Sequence, residues 1–145
     1  MAAKMWIELN SSEIKDEINK DSLAMLPVGS CEQHGMHLPV GTDLLICNDI
    51  VLKAAQKANA NVLILPSIAY GFSHHHLDFA GTISLNQLTL VSIIKDICDS
   101  LHKHRIRKVL IVNCHGGNQS ALQVAINEVG QCTNMDLFLI RYWDL

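Results

Sequence analysis

Four short apolar runs, Leu23 to Val28, Val62 to Leu65, Lys108 to Val112 and Leu137 to Ile140, are spaced along the chain with helical patterning between them. Each run is continuous rather than alternating, which suits a strand buried on both faces. Asn10 and Ser11 can cap a helix that carries Ile14 and Ile18 and ends near Asp21. From Asp43, which can serve as a cap, a second helix to Lys57 packs one face with Ile46, Ile50, Leu52 and Ala54. Asn86 opens the clearest helix, with Leu88, Val91, Ile94, Ile97, Cys98 and Leu101 at helical period and basic residues from Lys103 to Arg107 at its end. Ala121 to Val129 is a fourth helix, with Gly130 as its stop. Strands alternating with helices predict an α/β fold, a three-layer α/β/α arrangement on a mostly parallel sheet. Right-handed crossovers then bring the loops Ser30 to Thr42, Ser67 to Ser84 and Cys114 to Asn118 to the carboxyl edge of that sheet, where ligands bind in open α/β folds. Those loops hold six of the eight histidines, with Glu32, Asp43 and Asp78 alongside.

Composition narrows the function classes. At 145 residues two separate cores would each be near the lower size limit, so residues 1–145 are expected to form one folding unit. With 49% hydrophobic and 17% charged residues, apolar burial can offset chain entropy, which excludes intrinsic disorder. A net charge of −3 provides no basic field for nucleic acid. No apolar stretch approaches the roughly 20 residues of a membrane span, and Met1 to Asn10 lacks the apolar region of a secretory signal, so a cytoplasmic protein is expected. Five cysteines without a Cys-x-x-Cys spacing read as reduced, mostly buried thiols.

Glu32 and His34 are two residues apart, which in an extended segment puts both side chains on one side with Cα atoms about 6.6 Å apart. Asp43 closes the same loop and His115 follows another strand, giving two carboxylates and two imidazoles. Such mixed N and O donors suit Zn²⁺, Mn²⁺ or Fe²⁺ better than Ca²⁺. Taken singly, each residue reads more readily as a loop charge, a helix cap or a surface histidine; the convergence on one edge is what favours a metal site. Three successive loop residues cannot all point one way, so one functional histidine is expected among His74, His75 and His76. Cys114 beside His115 reads as a packed thiol rather than a nucleophile. Gly116 and Gly117 could cradle an anion or simply make a tight turn. Leu88, Val91, Ile94 and Leu101 are assigned to the core.

Three ordered segments carry a family resemblance. Leu26-Pro27-Val28-Gly29-Ser30-Cys31-Glu32-Gln33-His34-Gly35-Met36-His37-Leu38-Pro39 with Gly41-Thr42-Asp43 resembles the first signature of the creatininase (creatinine amidohydrolase) family. Gly71-Phe72-Ser73-His74-His75-His76-Leu77-Asp78-Phe79-Ala80-Gly81-Thr82-Ile83-Ser84 is similar to its second, and Asn113-Cys114-His115-Gly116-Gly117-Asn118 to its third. The resemblance implies a metal-dependent amidohydrolase that cleaves the C–N bond of an amide, formamide or cyclic amide with a metal-bound hydroxide. It implies an α/β/α fold, a homo-oligomer and a small-molecule amide substrate. By this match Glu32, Asp43 and His115 hold one ion, zinc first with manganese or iron as alternatives, and His34 with bridging Asp43 begins a second. Ser73 and His76 face the substrate, with His76 orienting it or moving a proton.

The chain also departs from that pattern. Creatinine-hydrolysing members carry Glu two positions after the third-motif histidine, where this chain has Gly117. That places it nearer the His-Gly-Gly-Asn branch, which includes formamide hydrolases of flavin and deazaflavin biosynthesis and a peptide-trimming enzyme of mycofactocin maturation. Met36 and Ala80 replace prolines common in the family. Members usually extend for roughly another hundred residues carrying a further His and Glu, so this chain is expected to be the N-terminal part of a longer fold. Two other readings stay open: a catalytically incomplete metal-binding fragment, and a non-enzymatic module whose polar loops grip an anion.

Overall fold

Ala24, Leu26 and Val28 pack into a cluster on one face of a parallel sheet while Met25 packs on the other, the period of two that a central strand imposes. The structure is a computed structural model and describes residues 3–18 and 21–145. Its strands are β1 (Lys4–Met5), β2 (Leu23–Val28), β3 (Val62–Ile64), β4 (Lys108–Asn113) and β5 (Asp136–Arg141). They form a five-stranded sheet in the order β1-β3-β2-β4-β5, and every pairing is parallel. The helices are α1 (Ser11–Ile18), α2 (Thr42–Lys57), α3 (Gln87–Lys103) and α4 (Gln119–Cys132). Cys47, Val51 and Ala55 of α2 cover one face, whereas Leu90, Ile94 and Cys98 of α3 and Leu122 and Ala125 of α4 cover the other. The expected α/β/α layering is therefore present, and each fully buried Leu or Ile in it stabilises the fold by about 1.5–3 kcal/mol relative to exposure.

Strand β1 was not anticipated, because two residues pairing along the β3 edge need no apolar run. In α2 the expected face is corrected. The buried stripe is Asp43, Cys47, Val51 and Ala55, while Ile46 and Ile50 are half-buried and Leu52 is exposed. A polar residue at its head hid the four-residue spacing. Asp43 is also not the cap; Gly41 takes that position, which frees the carboxylate to face the next loop. In α3 the Asn86 side chain accepts from Leu88 N–H at 3.0 Å, as a cap should, but Leu88 itself is 74% exposed and Leu90 takes its place in the core.

Gly130 lies inside α4 rather than ending it. It sits on the exposed face, and Thr133 closes the helix with both its N–H and its hydroxyl on Val129 O, each at 2.9 Å. At the start of α1, Asn10 Oδ1 accepts from Ser12 and Glu13 N–H while Glu13 accepts from Asn10 N–H, a reciprocal capping box. The described helix ends at Ile18, and its expected run toward Asp21 crosses residues outside those described. Among the described residues no helix is long and apolar enough to cross a membrane.

Candidate metal centre

Glu32 and His34 leave the carboxyl end of β2, Asp43 occupies the first turn of α2, and His115 follows β4. The fold draws the four together. His115 Nδ1 stands 3.3 Å from Glu32 Oε1 and 3.0 Å from Asp43 Oδ2, and His34 Nε2 lies 3.0 Å from Asp43 Oδ1. Glu32, Asp43 and His115 are only 6%, 8% and 5% exposed. Yet Glu32 Oε2 and Asp43 Oδ2 are buried with no hydrogen-bond partner among the described residues. Asp43 Oδ2 is close to the His115 ring without the alignment of a hydrogen bond. Two ionised carboxylates held this way are strongly penalised unless a cation neutralises them.

The outer ring nitrogens separate the histidines into two kinds. His115 Nε2 lies 3.1 Å from the Phe72 carbonyl and His34 Nδ1 lies 3.2 Å from the Glu32 carbonyl. A carbonyl can only accept, so in each neutral ring the outer nitrogen carries the proton and the inner one turns a lone pair to the carboxylates. That is how ligating imidazoles are held by a surrounding shell of hydrogen bonds. His76 is the opposite case. Gly35 N–H donates to Gln33 Oε1 at 2.9 Å, which orients the amide so that Gln33 Nε2 donates to His76 Nδ1 at 3.2 Å. The His76 proton is therefore on Nε2, 4.0 Å from Glu32 Oε1.

Buried Asn118 ties the three loops together. Its Nδ2 donates to Gly29 O at 2.9 Å, and its Oδ1 accepts from Phe72 N–H at 2.9 Å. Asn113 Oδ1 receives the His115 N–H at 3.1 Å, fixing the chain as it leaves β4. Gly71 must be glycine beside this staple, since a Cβ there would stand 2.5 Å from Asn118 Oδ1. The contact at Gly117 is tighter still, since a Cβ there would stand 2.2 Å from the Phe72 carbonyl oxygen.

The second loop packs against the carboxylate cluster. Ser73 is fully buried, with its Oγ 2.6 Å from Ser30 Oγ and 3.3 Å from His115 Nε2. His74 bonds Ser84 Oγ at 3.0 Å and stacks on Phe72. His75 and His76 both turn toward Glu32, so this loop brings two imidazoles to the site where one was expected. The backbone explains it: His74 to His76 form a 3-10 turn, which fans successive side chains apart. Asp78 is exposed and outside the cluster. Gln33, Ser30 and Asn118 went unpredicted, because their contribution is hydrogen bonding across loops, which leaves no spacing in the sequence.

Burial is the largest influence on the His115 pKa and lowers it; the close Asp43 carboxylate, the Glu32 charge and the Phe72 carbonyl together outweigh burial and raise it overall. Cys114 is buried, and its hydrogen bond with Cys47, followed by desolvation, pushes its pKa far up. A thiol so reluctant to ionise is packing, as expected. A cavity of 690 Å³ elsewhere is lined by Trp6, Leu9, Ile14 and Arg105 among others and by none of the clustered side chains.

The model of the creatininase family, described as creatinine amidohydrolase, matches residues 7–144. This chain belongs to the creatininase family. It is 30% identical over 135 residues to the creatinine amidohydrolase of Pseudomonas putida, covering 86% of this chain and 51% of that protein. It is 36% identical over 108 residues to the mycofactocin precursor peptide peptidase of Mycolicibacterium smegmatis, covering 72% and 43%. A solved creatininase described as the Mn form superposes with a TM-score of 0.84 at 27% identity, over 98% of this chain and 59% of that one. The chain thus spans about half the length of the curated creatininase relatives it matches.

Proposed function

We propose that this creatininase-family chain carries the metal-holding part of an amidohydrolase that cleaves a C–N bond of an amide, formamide or cyclic amide. One observation carries the reading. Two buried carboxylate oxygens lacking partners face two imidazoles whose inner nitrogens are left open by hydrogen bonds on the outer ones. Glu32, His34, Asp43 and His115 would hold one or two divalent ions, with zinc favoured by the N and O donors and manganese or iron as alternatives. Such an ion supplies Lewis acidity toward water and the substrate carbonyl.

The chain's own groups do the rest. His76 turns its Nε2 N–H toward the carboxylates, with Gln33 holding that tautomer, which suits the ring to orient the substrate by donating a hydrogen bond. Ser73 and Ser30 position His115 through a buried hydroxyl pair. Five free cysteines suit a reducing cytoplasm, where the protein acts on its small-molecule substrate as a homo-oligomer.

The test is to load the purified chain separately with Zn²⁺, Mn²⁺ and Fe²⁺ and assay creatinine, formamides and short peptides. One class should turn over, and turnover and bound metal should both disappear in Glu32→Gln and Asp43→Asn. Bound metal without turnover of any C–N substrate would overturn the hydrolase.

A further inference from the structure

The 690 Å³ cavity stands at the opposite edge of the sheet from His115, because α3 runs back against the strands and His104 and Arg105 follow it just before β4 begins. Trp6, Leu9 and Ile14 line it together with Lys15, His104 and Arg105. Lys4, Lys53, Lys95, Lys108 and Arg141 each pair with a carboxylate, whereas no ion pair among the described residues engages Lys15, His104 or Arg105. A second cavity, of 470 Å³, shares Trp6 and His104 with the first and is lined by Leu26, Leu65, Ile97 and Leu101, with Asp96 on its border. Both volumes fall in the range of about 300–1,000 Å³ that holds small molecules. Arg105 also keeps a backbone φ of 67°, where glycine would be more stable. A strained residue retained in a cavity wall points to a use for its side chain.

We propose that these two adjoining cavities bind an amphipathic carboxylate, with its head among Lys15, His104 and Arg105 and its apolar tail passing Trp6 toward Leu65, Ile97 and Leu101. This site is separate from the metal centre and does not depend on it. Charge sets the sign of the head. Lys15 and Arg105 are cations in a wall that contains no acidic residue, and a carboxylate there gains charge-assisted hydrogen bonds, two of them from the guanidinium fork. The tail follows from the second lining, where aliphatic side chains and the indole give an apolar group surface to cover and few polar atoms to satisfy. Asp96 on that border repels a negative charge at the tail end, so a monocarboxylate fits and a dicarboxylate does not.

The experiment is calorimetric titration of the full chain with octanoate, and with 1-octanol as its uncharged counterpart, each with and without zinc. Octanoate should bind at least about tenfold more tightly than octanol, and zinc should leave its affinity unchanged. Arg105→Gly should weaken octanoate binding about tenfold or more, the usual loss with a hydrogen bond to a charged group. Urea unfolding of that variant should show no loss of stability, so misfolding does not account for the effect. Lys53→Ala, on α2 across the sheet, should bind as the wild type does. In Trp143→Phe the remaining tryptophan is Trp6, and its emission should shift as octanoate saturates. No octanoate binding, equal affinity for octanol, binding that requires zinc, or an unmoved Trp6 emission would overturn the proposal. So would an Arg105→Gly variant that binds like the wild type or is matched in its loss by Lys53→Ala.

Discussion

Gly117 lies against the Phe72 carbonyl so closely that a Cβ at position 117 would stand 2.2 Å from that oxygen and 2.5 Å from His115 Nε2. Glycine here permits the hydrogen bond that aims His115. In Gly117→Ala the bond must break, and zinc affinity should fall about 10–100-fold, the usual effect of losing a ligand's supporting partner. Competition with a chromogenic chelator measures it. Gly116→Ala is the control, since a Cβ at that position meets nothing within 4 Å, and affinity should not change.

Asn118→Ala removes the bridge between Gly29 and Phe72 and leaves a buried acceptor and a half-buried donor without that partner. Each such group costs about 1–3 kcal/mol. Urea unfolding should show a loss of about 3 kcal/mol; a change below about 1 kcal/mol would mean that the loops are held by packing alone.

Gln33→Glu reverses one hydrogen bond. The carboxylate can only accept, so a neutral His76 then puts its proton on Nδ1 and turns a lone pair toward Glu32. If the Nε2 N–H of His76 orients the substrate, kcat should fall roughly 10²–10⁴-fold with bound metal unchanged, and His76→Ala should match it. An unaltered kcat would remove His76 from the chemistry.

The raised pKa of His115 makes the metal-free protein pH-dependent in a defined sense. A histidine whose folded value exceeds its ordinary 6.5 adds stability that is complete below 6.5 and fades as pH climbs through the folded value. In EDTA, urea midpoints should therefore decline above pH 6.5, and His115→Gln should flatten that decline. Zinc should reverse the sign, because the ion competes with the proton for Nδ1.

Arg105 follows α3 at φ 67°, where Ile106 N–H reaches Leu101 O at 3.0 Å and Arg105 N–H reaches His102 O at 2.9 Å. This is a Schellman ending with arginine in the position that favours glycine. Arg105→Gly should raise stability by about 0.5–1 kcal/mol. In calorimetry that corresponds to a rise of about 1–4 °C in Tm.

The apolar runs at Leu23 to Val28 and Lys108 to Val112 made the parallel sheet legible, because a strand covered on both faces must be apolar throughout. The loops that would meet followed from handedness alone. Face assignment in helices was less secure, as Leu88 and Leu52 show. A helix's inner stripe depends on where its first turn lands, which neighbouring elements set.

Residue types and chain order were thus enough to bring Glu32, His34, Asp43 and His115 to one edge of the sheet. Tertiary structure alone decided which nitrogen each imidazole presents, that Ser73 is buried, and that His75 joins the cluster. Those outcomes rest on hydrogen bonds between loops some 40 to 90 residues apart, such as Ser73 to His115 and Asn118 to Gly29. Their partners are chosen by distance and direction in space, and neither has a period along the chain.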